Sequence, residues 1–449
     1  MPAGPTADNL IAIARDQGVV GAGGAGFPAY GKLRAKADIV IANGAECEPL
    51  LHKDKRLMEI YPDEVIAGLM LLQEATGADT AIIGIKAKNE AAIAAIQPQA
   101  ESAGVSLELL DDIYPSGDEV DLVYGATGRQ IPTGGIPLEV GVVVNNVETL
   151  LNLQRANRGE AVTHTLISVT GAVKSPKTFW APVGTSYRDA IEYCGGATLD
   201  EIAVVDGGPM MGKVQFNLDE PITKTCGGLV ILPRDHYLVG RKTQPESQYK
   251  RVGKSACDQC SLCTELCPRY LLGYPVQPHL VMRALEFSGP QSLDLGRWGQ
   301  VCSECNICSL YACPENLNPR DMCRSAKVEL DRNGSAWSRD ELAALTNDAH
   351  PMREYRGVPT EQLKQRLGLT EWDFPAPFTD EAPEIQQVAI PLQQHIGEAT
   401  QPTVQLGAAV SMGDVIGAME GDELGAGVHA SIDGIVVDIN SRIVIKGQV

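Results

Sequence analysis

Residues 18–33 read GVVGAGGAGFPAYGKL, and within them Gly21, Gly23 and Gly26 spell G-x-G-x-x-G. In a Rossmann turn this fingerprint follows a strand, opens a helix and is answered by an acidic residue about 20 positions later. Glu46 stands at that distance, but the context differs. A helical pattern, DNLIAIARDQ (8–17), precedes the glycines, with Asp8 near its cap and Gly18 just past its end, and Pro28 follows soon after. A Rossmann turn is therefore disfavoured. Two readings remain: a glycine backbone that approaches a phosphate or flat ring closely, with Lys32 as a nearby cation, or a flexible loop.

Outward from this loop, residues 1–160 alternate strand and helix patterns. DIVIAN (38–43), TAIIGIK (80–86), VSLELL (105–110) and VGVVVNN (140–146) are rich in β-branched residues, and helical patterns such as PDEVIAGLMLLQEATG lie between them. That alternation predicts a parallel α/β sheet. Residues 161–240 form a β-rich unit, with THTLISVTGAV and GGLVILP as strands and SYRDAIEYCGG as its helix. The polar run GRKTQPESQYKRVGKSA (240–256) reads as a linker into a helical unit, 241–375, that holds the cysteines. After the Pro-rich break WDFPAPFTDEAPE comes a small β unit, 385–449, with GAAVSMGDVIGA and VHASIDGIVVDI as expected hairpins.

The chain has 449 residues, 44% of them apolar, and a formal net charge of −20. Such acidity repels the phosphate backbone, so no nucleic acid is expected as a partner, and anionic membrane surfaces are disfavoured likewise. No apolar run approaches the 18 or so residues of a spanning helix, so no membrane insertion is expected. The segment MPAGPTADNLIAIARD lacks the basic start of a signal peptide and carries Asp8, Arg15 and Asp16 among its apolar residues, so it is not expected to be one.

Of 12 cysteines, eight crowd into 257–313 while Cys47, Cys194, Cys226 and Cys323 lie apart. Local crowding argues for metal ligation in a reducing cytoplasm rather than a disulfide scaffold. Cys257, Cys260, Cys263 and Cys267 are spaced C-x2-C-x2-C-x3-C, and Cys302, Cys305, Cys308 and Cys313 are spaced C-x2-C-x2-C-x4-C, each set followed by proline. Three close thiolates hold three irons of a cubane, and in two-cluster ferredoxins the fourth ligand comes from the other motif. Cys257, Cys260, Cys263 and Cys313 are then expected to hold one [4Fe–4S] cluster, and Cys302, Cys305, Cys308 and Cys267 the second. Zinc, the alternative, usually takes two C-x2-C pairs with a longer gap. The x4 gap departs by one residue from the usual spacing.

GAGGAGFPAYGK, NGAECEP (43–49), YPSGDE (114–119) and NNVET (145–149), together with GGPMMG, PITKTCGGLVIL and the double cysteine motif, resemble the flavin subunit of respiratory complex I. They resemble still more closely the C subunit of the Rnf ferredoxin–NAD oxidoreductases. The resemblance implies FMN and NADH bound in the 1–160 unit, a β-grasp-like ligand-binding module, a ferredoxin-like domain with two [4Fe–4S] clusters and a barrel-sandwich β-domain. By motif, Gly21, Gly23, Gly24 and Gly26 would form the cradle, and Lys32 would face phosphate. Asn43, Glu46 and Glu48 would line the cleft, with Tyr114, Gly117, Asp118 and Glu119 closing its other side. Asn145, Asn146 and Thr149 would bind the flavin near a helix N-terminus.

One departure is informative. Rnf C subunits carry the barrel-sandwich domain at the N-terminus, whereas here the matching segment is C-terminal. That order resembles the cobalamin reductases of propanediol-utilisation microcompartments. Glu423, in the hairpin tip EGDEL, stands about where carrier domains place a modified lysine, so no attached biotin or lipoate is expected. The implied substrate is cobalamin, reduced from Co(III) towards Co(I), with a corrinoid adenosyltransferase as trapping partner and a microcompartment, with its shell protein, as location. No protein acid or base is expected to be catalytic, because positioned hydride transfer is cofactor chemistry. An NADH-facing Rnf-type subunit is the alternative enzyme. A cluster-only electron relay and a zinc scaffold are the non-enzymatic ones.

Overall fold

β-branched runs flanked by amphipathic helices have one efficient burial, strands side by side with helices on both faces. The computed structural model, which describes residues 7–447, has that arrangement at its start. The first six residues of the segment read for a leader lie outside it. Four parallel strands run in the order 106–110, 80–86, 39–44, 142–146, with Ile39 beside both Thr80 and Val142 and Ile82 beside Ser106. Alternation sends Val40 and Ala42 to one core, shared with the helices Pro62–Thr76 and Val147–Asn157. Ile41 points to the opposite core, under the helix Glu119–Thr127 with Leu122 and Val123. The carboxyl ends of 39–44 and 142–146 open together, and the loops there build the site.

The second unit is a five-stranded sheet in the order 177–182, 164–171, 228–233, 202–206, 213–215, backed by the helix Tyr187–Tyr193. Only 164–171 and 228–233 pair in parallel.

Two expectations are corrected. The polar run 240–256 is not a slack linker, because it folds into the end of the helix Tyr237–Lys242 and the helix Glu246–Ala256, which buries Tyr249 and Gly253. Its polarity is that of an amphipathic helix with a narrow apolar stripe. The C-terminal hairpins also differ. Within GAAVSMGDVIGA the strands Ala409–Val410 and Val415–Ala418 belong to different sheets, as do Val428–His429 and Gly434–Ile439 within VHASIDGIVVDI. Each Gly- or Asp-marked turn switches sheets. The result is a sandwich of a four-stranded and a three-stranded sheet over Val388, Ile390, Ile416, Val436 and Ile443.

The cysteine region is helical and short-looped, and it is stitched to the first unit. Val358–Pro359 pairs with Ile113–Tyr114, Arg269 forks onto Asp118 at 2.7 and 3.0 Å, and Tyr274 Oη donates to the Ile131 carbonyl at 2.7 Å. No helix among the described residues is long and apolar enough to cross a membrane.

Candidate functional site

A cleft of about 530 Å³ opens between the first sheet's carboxyl edge, the five-stranded unit and the cysteine region. That volume suits a small-molecule cofactor. Its floor is the tip of the glycine loop, Ala22 to Ala25. The loop is pinched at its base, where Gly21 N donates to the Phe27 carbonyl at 2.9 Å. Gly24 has φ +103°, and a Cβ built there meets nothing within 4 Å. It would project into open cleft, so this is a cradle that any side chain would begin to fill.

The structure brings Gly23, Gly24, Asn43, Glu46, Glu48, Tyr114, Gly117, Asp118 and Asn146 to this cleft. Asn43 Nδ2 donates to the Gly117 carbonyl at 2.9 Å, joining the two segments across it. Asn146 caps the helix Val147–Asn157 through Glu148 N at 2.9 Å, and its amide donates to Asp54 at 2.9 Å. Glu48 accepts from the backbone of Met210 and Met211 at 2.7 and 2.8 Å, so it holds GGPMMG against the first unit. Burial and then repulsion by Asp54 push the Glu46 carboxyl up to about 8.

Other predicted residues support the cleft from behind. Thr149 accepts from Ala22 N at 3.0 Å and so fixes the loop. Asn145 is buried, Gly21 forms the loop base, and Gly26 packs on Thr225 and His395. Lys32 does not reach the cleft: its Nζ donates to the Val144 carbonyl at 2.5 Å, and burial lowers its pKa, with Glu119 opposing. Glu119 is exposed in the first turn of its helix.

Sequence reasoning missed the most heavily charged part. Lys53 lies 2.6 Å from Glu148, with side chains 3% and 0% exposed, and also donates to the Ala22 carbonyl at 2.8 Å. Burial opposes the Lys53 ammonium, but Glu148 and Asp54 outweigh it and hold the pKa up. Asp54 is pushed up to about 6 by burial despite Lys53. The run HKDKR (52–56), beginning four residues past Glu48, was the available signal. Asp206, which accepts from Tyr187 Oη and Cys226 Sγ at 2.9 and 3.0 Å, also lines the cleft.

Cys305 lines it too. Tyr114 Oη donates to the Cys305 carbonyl at 2.8 Å, so the cysteine region meets the cleft at this residue. Behind it, Cys305 and Cys308 neighbour Cys302 and Cys267. Cys257, Cys260, Cys263 and Cys313 line a second, small cavity, and Cys260 is exposed. Thus each motif's fourth cysteine joins the other motif's three. Both motifs wind alike: Gln259 and Ser261 in the first, Glu304 and Asn306 in the second, have φ between 58° and 72°. Left-handed backbone at the second and fourth positions after the leading cysteine gives both motifs the same tight turn. The extra residue of the second motif is absorbed in the π-helical turn Cys308–Ala312, where the first has the α-turn Leu262–Glu265.

Burial, then the neighbouring sulfurs, push the Cys263 and Cys267 thiols up to about 12. Thiols held up in this way ionise only beside a compensating positive charge. The sulfurs also accept hydrogen bonds, from Leu317 N to Cys313 at 3.3 Å and from Glu304 N to Cys302 at 3.4 Å. This donor set fits iron–sulfur clusters.

Comparison with known proteins decides the family. The chain is 41% identical over 97% of its length to cobalamin reductase PduS of Salmonella typhimurium, covering 96% of that protein. The chain belongs to the PduS cobalamin reductase family. The Citrobacter freundii PduS is 42% identical over 95% of this chain and 94% of its own. By contrast, the C subunit of the proton-translocating ferredoxin:NAD(+) oxidoreductase complex of Clostridium ljungdahlii is 36% identical over 58% of this chain and 56% of its own. Family models match in order: the Nuo51 FMN-binding domain (14–155), the SLBB domain (166–214), the 4Fe-4S dicluster domain (256–318) and the RnfC barrel sandwich hybrid domain (378–449). Like other members of its family, the protein is an oxidoreductase, with an FMN-binding domain in its first unit. The full-length match to PduS, against a partial match to the Rnf protein, disfavours the Rnf-type alternative. An NAD+-reducing [NiFe]-hydrogenase shares the fold, at TM-score 0.50 and 23% identity over 76% of this chain and 63% of that one.

Proposed function

We propose that the protein takes electron pairs from NADH and delivers them singly to the cobalt of a corrinoid, from Co(III) towards Co(I). The observation that carries this reading is the position of Cys305, which lines the cofactor cleft and belongs to one of two adjoining cysteine sets. FMN, when bound, supplies the conversion between hydride and single-electron chemistry, and two [4Fe–4S] clusters supply single-electron carriage. Gly23, Gly24, Asn43 and Asn146 would hold the FMN. Glu46 and Glu48 would bound the NADH side. Cys267, Cys302, Cys305 and Cys308 would hold the cluster next to the cleft, and Cys257, Cys260, Cys263 and Cys313 the outer one.

The chain's own contribution is placement. Tyr114 and the Arg269–Asp118 fork fix the inner cysteine set against the cleft, while exposed Cys260 puts the outer set at the surface, where the corrinoid would take electrons. The names of the PduS relatives support cobalamin as substrate. Because Co(I) is strongly reducing, a corrinoid adenosyltransferase that traps it would complete the reaction. The propanediol-utilisation microcompartment, with a shell protein as neighbour, would be its cytoplasmic setting.

The test uses anaerobically reconstituted protein with hydroxocobalamin and NADH. The expected result is NADH-dependent appearance of the Co(II) spectrum, lost in Cys257→Ala. If NADH bleaches the flavin and cluster absorbance while the corrinoid stays Co(III), the acceptor is wrong. A ferredoxin, as in an Rnf-type complex, would then take its place.

A further inference from the structure

Carrier domains of the barrel-sandwich type move a lysine-bound group on a hairpin tip, which requires the tip to be free. Here the tip is tied down. Arg15, near the end of the helix Ala7–Asp16, donates to the carbonyls of Gly421 and Glu423, and Gly427 N donates to the Arg15 carbonyl at 2.9 Å. The same β unit grips the far end of the glycine loop, where Ile396 N donates to the Gly26 carbonyl at 3.0 Å. A Cβ on Gly26 would lie 3.0 Å from Thr225 and 3.2 Å from His395.

Between these two grips sits Lys224, 4% exposed. Its Nζ donates to the Gly18 carbonyl at 2.9 Å and the Gly427 carbonyl at 2.8 Å, and its backbone N–H donates to Gln394 Oε1 at 3.0 Å. No carboxylate among the described residues offsets the burial of this amine. A side chain so costly to bury has one visible use, joining three units at one point. Gly18 has φ +76°, and a Cβ there would stand 2.3 Å from Lys224 Nζ, so that glycine leaves room for the amine. The next residue, Thr225, lines the cleft.

We propose that the C-terminal β unit is a fixed brace for the glycine cradle rather than a moving arm, and that Lys224 is the positioning residue that locks it. The flavin part of this proposal rests on the function proposed above, but the brace itself does not. The test compares full-length wild type, Lys224→Met and Arg15→Ala by hydrogen exchange of the flavin-free protein and by FMN titration. Both variants are expected to speed amide exchange across 18–29 and 394–427 by about tenfold or more, through loss of the buried hydrogen bonds of Lys224 or the surface ones of Arg15. FMN binding should weaken by about tenfold or more in Lys224→Met, while the iron–sulfur absorbance of reconstituted protein stays unchanged. Lys224→Gln, which keeps two N–H donors, should recover most of the FMN affinity. Arg15→Ala alters a surface contact and keeps the test valid if Lys224→Met fails to fold. Unchanged exchange in 18–29, with FMN affinity within twofold of wild type, would overturn the brace. Wild type that binds no FMN, with exchange still raised in the variants, would refute the flavin reading and leave the brace standing.

Discussion

Replacing Lys53 by methionine isolates the energetics of the buried charges beside the cleft. Lys53 and Glu148 are 2.6 Å apart with side chains 3% and 0% exposed, so removing the ammonium strands a carboxylate where water cannot reach. Breaking a buried pair from one side costs about 3–5 kcal/mol. Glu148 keeps two donors, Thr165 Oγ1 at 3.0 Å and Leu166 N at 3.1 Å, which places the cost near the lower end, about 3 kcal/mol. Glu148→Gln should cost less, because Asp54 remains to offset Lys53. In Lys53→Met/Glu148→Gln no charge is left stranded at position 148, and the amide oxygen keeps Thr165 and Leu166. The double variant should therefore be more stable than Lys53→Met alone, with a coupling of about 2 kcal/mol. Urea unfolding of the flavin-free protein reads this directly. At a slope of about 3 kcal/mol per molar, the Lys53→Met midpoint falls by about 1 M. A shift below about 0.3 M, or a double variant no better than the sum of its singles, would refute the account.

Three further outcomes follow from the same site. Gly24→Ala should fold with a strain penalty of about 1–2 kcal/mol, since its φ is +103° and its Cβ is unobstructed, yet lose most FMN affinity in a fluorescence titration. Glu48→Ala removes the acceptor of Met210 N and Met211 N, so amide exchange at these two residues should rise by about tenfold or more. Glu46 has a folded pKa of about 8 against an ordinary 4.5, so the folded flavin-free protein holds a proton that the unfolded chain releases. Stability should therefore fall as pH rises from about 4.5 to 8, by at most about 1.4 kcal/mol per unit, and level off above. Glu46→Gln should lack that share of the slope in melting curves taken at successive pH values.

How much was legible depended on how locally each feature is encoded. The two cysteine motifs lie in runs of about a dozen residues, and a spacing rule reaches them because the backbone turns within each run. The parallel sheet was legible for a similar reason: Val40, Ile41 and Ala42 alternate between two cores within one strand. The π-helical turn at Cys308–Ala312 was not, since spacing shows an extra residue without showing how it is accommodated. The sheet switches of the C-terminal unit escaped because adjacent strands and a turn read alike whether the strands pair or part.

The cleft's charges are the harder case. Lys53, Asp54, Asn146, Glu148 and Thr165 come from three separated segments, and none stands out where it lies, because a buried lysine and a solvated one look the same in sequence. Their meaning appears only when the helix Val147–Asn157 sets Glu148 against Lys53 and the glycine loop offers the Ala22 carbonyl. Lys32 illustrates the converse. It sits next to the glycine motif in sequence, yet the turn of the helix Ala29–Leu33 sends it to the Val144 carbonyl, away from the cleft. Lys53, some 20 residues farther on, lines the cleft instead. A cation's distance along the chain from the glycine motif thus says little about whether it reaches the cleft. What decides it is which residue the strand Ile39–Gly44 carries round to the carboxyl edge of the sheet, where loops converge whatever their order in the chain.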